Sequence, residues 1–281
     1  MAEMVNLSKM LNDAKDNKYA LGSFNVYSFE TIRGVIACAN ELGTPAIVAF
    51  GAKYLENMDM EEVVACVKHE TAKGNQPIAL HLDHCPKKEI IKEAIDKGFT
   101  SVMYDGSALP FEENVKNTKE VVEYAHAHGV SVEAELGSLA AGAESHEGSE
   151  SDIEKYTNPE QAKEFVERTG VDCLAVSIGT VHGMYKGTPN VRVDVLQNIK
   201  KAVDIPFVLH GGSGTPEETI KECIKNGICK INVNTEISSY AVDNVKKLLN
   251  ESEKKPHLSV LSLHIIDYVK EIVAKYTKFF R

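Results

Sequence analysis

The chain has 281 residues, 43% of them hydrophobic and 26% charged, which is the composition of a globular protein able to bury a large core. Its formal net charge of −10 argues against coating nucleic acid or an anionic membrane by general electrostatics, although a local pocket of backbone N–H groups and a cation can still hold a small anion. The six cysteines form no CxxC pair, the start MAEMVNLSKM has no signal-peptide character, and no run of about 18 apolar residues occurs, so the expectation is a cytoplasmic chain with no membrane span.

Eight short apolar runs punctuate the sequence in order: ALGSFN (20–25), PAIVAF (45–50), PIALHL (77–82), TSVMY (100–104), VSVEAE (130–135), DCLAVS (172–177), PFVLH (206–210) and ICKIN (228–232). Most are rich in Val, Ile, Leu or Ala, as strands buried on both faces should be. Helical patterns fill the gaps. From Phe111 to His128, Val115, Val121, Val122 and Ala125 recur at helical spacing and Gly129 stops the run. Asn158-Pro159-Glu160 and Thr215-Pro216-Glu217 each read as an N-cap, a proline at the first helical position and an acidic first turn. A doubly wound open sheet fits the periodicity too, but eight strand–helix repeats over about 250 residues favour a closed (β/α)8 TIM barrel of the α/β class. The expectation is a single domain over 1–281, with an extra helix near 258–277 on the outside or at a subunit contact. The segment GSLAAGAESHEGSESD (137–152) is too polar and glycine-rich for a core element, and a flexible active-site loop is expected over about 137–155.

In such barrels the chemistry gathers at the C-terminal ends of the strands. Read in order, those ends carry Asn25, Asp83 and His84, Asp105, Glu135, His182, His210 and Asn232. Three histidines from separate strands can surround one divalent ion and leave a position open for a substrate oxygen, the plan of a catalytic zinc. Strand alternation puts His81 and Asp83 on one face and Leu82 and His84 on the other, so Asp83 and His84 share a site only if the strand ends and the backbone turns; Pro86 supports that ending. His84 is the better ligand candidate, His81 a buried hydrogen-bonded support, and Cys85 a packing residue. The remaining histidines, 69, 126, 128, 146, 257 and 264, fall in helices or loops. HGGSG (210–214) and NVNT (232–235) join the last two strands to helices, where these barrels hold phosphate on backbone N–H groups.

At these motifs the chain resembles the class II ketose-bisphosphate aldolases, the group containing fructose- and tagatose-bisphosphate aldolases. The likeness covers nearly the whole chain and rests on SFNVYSFET, HLDH, SVMYDGSALPFEEN, GVSVEAELG, YTNPEQAKEFVERTGVDCLAVSIGTVHGMYKG, VLHGGSG and GICKINVNTE. It implies catalytic Zn2+ on His84, His182 and His210, with Asp105 and Glu135 at a second or alternative metal position, and a monovalent cation or second divalent metal as a further cofactor. It implies Asp83 as the acid–base for the C4 hydroxyl, and a phosphate pocket of Gly183, Gly211, Gly212, Ser213, Asn232, Val233, Asn234 and Thr235. Zinc would polarise dihydroxyacetone phosphate and stabilise the anion left when a C–H proton departs; that carbon then attacks glyceraldehyde 3-phosphate. A homodimer or homotetramer is the implied assembly.

Two departures from the family pattern stand out. The loop after ELG usually reads GGxED, with its Glu removing the C–H proton; here it is ELGSLAAGAESHEG, which makes Glu144 the choice and Glu147 its rival. Where relatives carry a basic residue for the distal phosphate, this chain has Ser238 in TEISS, and Lys186 is the candidate replacement charge. Three rival readings are weighed against a metal aldolase. A Schiff-base aldolase would use Lys230, which shares strand parity with Asn232; a non-catalytic binder would retain only the sugar-phosphate pocket. A metal amidohydrolase would need an HxH pair on the first strand, and SFNVYS has none.

Overall fold

The computed structural model describes residues 2–145 and 155–281. Eight strands form its barrel: β1 (Leu21–Asn25), β2 (Ala46–Gly51), β3 (Ile78–Cys85), β4 (Ser101–Tyr104), β5 (Ser131–Leu136), β6 (Cys173–Val176), β7 (Phe207–Leu209) and β8 (Ile228–Val233). All pair in parallel with their neighbours in sequence, and β1 closes the ring by pairing with both β2 and β8. Every strand residue except His84 is buried, the polar ones included, as in a sheet covered on both faces. The expected TIM barrel is therefore the observed fold.

Among the described residues, ten α-helices accompany the strands: α1 (Leu7–Asn17), α2 (Phe29–Leu42), α3 (Met60–Ala72), α4 (Lys88–Lys97), α5 (Phe111–Ala127), α6 (Pro159–Thr169), α7 (Val193–Ala202), α8 (Glu217–Lys225), α9 (Thr235–Glu251) and α10 (Leu258–Phe279). The local signals explain several ends. His128 caps α5 and Gly129 follows in the left-handed region at φ +72°. Asn158 caps α6, its Oδ1 accepting from the amides of Glu160 and Gln161 at 2.9 and 3.1 Å, with Pro159 at the first position. The similar Thr215-Pro216-Glu217 signal plays out differently: α8 starts at Glu217 with Pro216 as its N-cap, because the Thr215 hydroxyl donates to Gly211 O at 3.0 Å instead. The extra helix α10 packs against α2 and α9 on the outside. Gly34 permits that approach, since a Cβ there would lie 2.7 Å from Val269 Cγ1.

Two apolar clusters divide the interior. Outward-facing strand residues such as Val48, Leu80, Leu82, Val132, Leu174 and Leu209 pack under the helix ring. Below the barrel, α1 presses Leu7, Met10, Leu11 and Ala14 against Leu21, Ile47, Ala79, Ala175 and Val208. This plug leaves the inward positions above it to polar residues, among them Ser23, His81, Ser101, Glu133 and Lys230, all fully buried. Among the described residues no helix is long and apolar enough to cross a membrane. The cap of α6 gives a direct check: Asn158→Ala should lower stability by about 1 kcal/mol, read as a reduced urea midpoint, and an unchanged midpoint would show that Pro159 alone sets the helix start.

Candidate active site

The site begins where β3 leaves the barrel. The strand does not end at Leu82, as its sequence predicts, but continues to Cys85, and its register against β4 shifts between Leu82 and Cys85. His84 sits at φ +46°, an uncommon backbone state for a residue with a Cβ. That irregularity overrides strand alternation and lets Asp83 and His84 serve one site. His81, two residues below Asp83, is fully buried and its Nδ1 pairs with Ser101 Oγ at 2.8 Å. Cys85 packs in the core, its thiol pushed up to about 11 by burial.

Three imidazoles converge above this exit. Ring centroids lie 4.6 Å apart for His84 and His210, 5.1 Å for His84 and His182, and 5.9 Å for His182 and His210. His210 follows β7 directly. His182 is not on a barrel strand: it lies in the β6–α7 connection, where Val181–His182 pairs in parallel with Ala140–Ala141. One ligand atom from each histidine falls within 4.8 Å of the others, and His84, Asp105 and Glu135 form a second, overlapping group of that kind. His84 Nδ1 contacts Asp105 Oδ2 at 2.9 Å, which leaves Nε2 as the nitrogen for a metal. His210 Nδ1 and Glu135 Oε2 face each other at 3.4 Å, both buried and with no hydrogen-bond partner among the described residues. Lone pairs opposed in this way, within a nitrogen and oxygen donor set, fit a divalent cation.

Asp83 lies beside these rings, completely buried. Asn25 Nδ2 donates to its Oδ2 at 2.9 Å and Asn232 Nδ2 to its Oδ1 at 3.1 Å. Burial alone pushes this carboxyl up, but the positive field of the site, from His84 and Lys230 foremost, outweighs it and holds Asp83 well below the usual carboxylate range. Glu133, which the sequence reading missed, accepts from His210 Nε2 and from Lys230 Nζ, each at 2.8 Å. Burial raises its carboxyl too, yet Lys230 and His210 bring it down to about 2. Glu135 goes the other way: burial, then Asp105, push it well above the ordinary value. Burial holds His81 neutral, with its pKa lowered to about 4. Lys230 stays an ammonium, because the attraction of Glu133 and Asp83 overcomes the burial penalty. A buried lysine held this way, with carboxylate and amide oxygens on its Nζ, is not an available Schiff-base amine.

The two glycine-rich loops meet beside the histidines. Gly211 is left-handed at φ +72°, and a Cβ there would stand 2.2 Å from Val181 O; Gly183, at φ +98°, lies equally close to Ala143 O at 2.5 Å. Gly212 N donates to Asn232 O at 2.9 Å, and Ser213 Oγ accepts from Glu236 N at 3.2 Å, so the loops after β7 and β8 are stitched together. Asn234 precedes α9 and donates to Tyr54 Oη at 3.0 Å, while Thr235 opens the helix. The Val233 side chain is buried in the outer core, so its backbone is the part that can face a ligand. Glu144, exposed and at φ +55°, accepts from Ser239 Oγ at 3.2 Å. Ser238 hydrogen-bonds the Tyr27 hydroxyl, and Lys186 is exposed. Glu147, with residues 146–154 of the expected loop, lies outside the described residues.

Comparison with known proteins points in one direction. The family model described as fructose-bisphosphate aldolase class-II matches residues 5–281. The YdjI aldolase from Escherichia coli K12 is similar at 36% identity and a TM-score of 0.86, over 99% of this chain and 97% of that one. A Coccidioides immitis protein solved as a candidate fructose-1,6-biphosphate aldolase shares 30% identity at a TM-score of 0.88, over 97% and 94% of the two chains. A Campylobacter jejuni fructose-bisphosphate aldolase, at 24% identity and a TM-score of 0.83 over 99% and 96%, shares the fold.

The tight contact at Gly211 is open to test. Gly211→Ala should cost about 1–3 kcal/mol through backbone strain alone and should displace Val181–His182, seen as a changed His182 ring signal by NMR. An unchanged urea midpoint and His182 signal would mean that the loop relaxes without cost.

Proposed function

The chain belongs to the class-II fructose-bisphosphate aldolase family and is an aldolase, a carbon–carbon lyase, and from that premise we propose a zinc-dependent, reversible cleavage of a ketose 1,6-bisphosphate to dihydroxyacetone phosphate and glyceraldehyde 3-phosphate. The substrate is fructose or tagatose 1,6-bisphosphate. One observation carries the reading: three imidazoles converge beside a buried, ionised carboxylate that is not one of their hydrogen-bond partners. His84, His182 and His210 would hold the zinc, with Asp105 and Glu135 as an alternative or second position. Zinc bound there supplies Lewis-acid polarisation of the substrate's ketone oxygen.

The protein's own groups divide the remaining work. Asp83, held as an acceptor by Asn25 and Asn232, takes the C4 hydroxyl proton during cleavage and returns it during condensation. Its separation from the histidine cluster by one backbone reversal keeps it near the substrate without making it a ligand. Gly183, Gly211, Gly212 and Ser213, with Asn232, the Val233 backbone, Asn234 and Thr235, bind the phosphate of the three-carbon ketose half at the start of α9. Glu144, the assigned C–H base, leaves Ser239 to reach the substrate carbon. Lys186 is assigned to the distal phosphate. A second reading, a ketose phosphate with an uncharged far end, is favoured by Ser238, whose hydroxyl bonds Tyr27 where a cation would otherwise meet phosphate. The assigned assembly is a homodimer or homotetramer, supported by exposed Val242, Leu258 and Leu263 on α9 and α10.

A coupled assay on zinc-loaded protein, offering fructose 1,6-bisphosphate, tagatose 1,6-bisphosphate and ketose monophosphates, should show cleavage of a bisphosphate that EDTA abolishes and zinc restores. Cleavage that survives EDTA but dies with borohydride plus substrate would overturn the metal reading. Asp83→Ala should keep stoichiometric zinc, by elemental analysis, and lose about 10²–10⁴-fold in kcat; near-normal turnover would remove Asp83 from proton transfer.

A further inference from the structure

Beneath the three histidines, β8 carries a lysine into the middle of the barrel. Lys230 is fully buried, and its ammonium reaches Glu133 Oε2 at 2.8 Å and Asn232 Oδ1 at 2.7 Å. An ammonium only donates, so each contact fixes the polarity of what lies beyond it.

Along one branch, Glu133 is an acceptor at both oxygens, from Lys230 and from His210 Nε2 at 2.8 Å. His210 therefore carries its proton on Nε2 and offers Nδ1 as a lone pair, on the side of Glu135. Along the other branch, Asn232 must turn its oxygen toward Lys230 and hence its NH2 toward Asp83 at 3.1 Å. With Asn25 donating to the second oxygen at 2.9 Å, Asp83 is left as an acceptor at both. We propose that Lys230 is a positioning residue for the reaction: one ammonium sets, through Glu133, which nitrogen His210 presents to a metal, and through Asn232, the orientation of Asp83.

An ion pair retained for folding alone would need only the contact with Glu133. The contact with Asn232 joins the same cation to the acid, 149 residues away from Asn232 in sequence. The inference rests on the roles given to His210 and Asp83 under the proposed function, so its test begins with the metal-free chain, where neither substrate nor zinc is required.

The experiment uses the full-length chain labelled with 15N-histidine, with His210 identified by the signals lost in His210→Gln. Two-bond 1H–15N spectra of the metal-free wild type should show a neutral His210 ring protonated at Nε2. In Lys230→Met that pattern should give way to a doubly protonated or mixed ring, and the zinc dissociation constant, by competition with a fluorescent chelator, should rise about 10–100-fold. At saturating zinc, kcat should then fall by about 10²–10⁴-fold while KM stays near the wild-type value, since the phosphate pocket keeps its backbone contacts. A wild-type His210 pattern with unchanged zinc affinity overturns the first branch, even if the urea midpoint drops; full kcat at saturating zinc overturns the second. If Lys230→Met does not fold, Glu133→Gln carries the test, because it keeps the volume and leaves Lys230 an amide oxygen. It should lose the His210 pattern and weaken zinc binding, and retention of both would overturn the proposal. A wild-type chain that binds no zinc or cleaves no ketose phosphate would refute the functional reading and leave the tautomer result standing on its own.

Discussion

Charge buried in a closed ring of strands has no water to solvate it, and that constraint orders this molecule from the centre outward. Asp83, Glu133 and Glu135 all project into the barrel and are almost completely removed from solvent, with Lys230 as the buried ammonium among them. An isolated carboxylate in such a place would take up a proton rather than stay charged. Asp83 and Glu133 avoid that because each sits within a web of donors: two side-chain amides on the first, an ammonium and an imidazole on the second. Glu135 lacks such donors and goes the other way, its carboxyl pushed up. Breaking a web of this kind leaves an uncompensated buried charge, so its members stand or fall together.

The apolar architecture makes that interior affordable without weakening the shell. Helix α1 seals the lower mouth with aliphatic residues, and the outward faces of the strands meet the helix ring in a continuous core. Inward polar residues thus stack in successive layers above the α1 plug, as the pairs Ser23 and Asn25, His81 and Asp83, Glu133 and Glu135, and Lys230 and Asn232 show. The same segregation explains why the histidines and glycine-rich turns can adopt left-handed or irregular backbone. Gly183, Gly211 and His84 occupy connections or strand exits rather than the hydrogen-bonded lattice, and neighbouring loops hold them in place.

Much of this was legible in the sequence. The eight apolar runs correspond to the eight barrel strands within a few residues, because the outward-facing positions of the strands stay apolar against the helix ring. The cap at Asn158 was equally plain, being a local preference that tertiary contacts did not contest. The matching signal at Thr215 failed because a more distant acceptor, Gly211 O, captured the hydroxyl. His182 looked like a strand-end residue only because the short pairing of Val181–His182 with Ala140–Ala141 depends on a loop whose path no periodicity encodes. Glu133 is the instructive omission. In VSVEAEL it and Glu135 lie two apart on an otherwise apolar strand, so both must point into the barrel. Two inward carboxylates on one buried strand call for partners, and Lys230 shares inward parity with Asn232 on β8.

The pattern of charge also bears on why a metal belongs here. Among the described residues, four carboxylates, Asp83, Asp105, Glu133 and Glu135, stand around the three histidines, against the one buried ammonium of Lys230. Burial lowers the pKa of His81 and of His210, so these two imidazoles do little to redress that imbalance. Burial and the nearby Asp105 push the Glu135 carboxyl up, and its Oε2 faces the Nδ1 of His210 at 3.4 Å. A divalent cation among these groups would place opposing charge where Glu135 Oε2 and His210 Nδ1 have no hydrogen-bond partner among the described residues. It would also leave Asp83 as the carboxylate held by amides rather than by a cation or a proton. A base with that environment can accept a proton from substrate and return it, because none of its fixed partners competes for the position the proton would take.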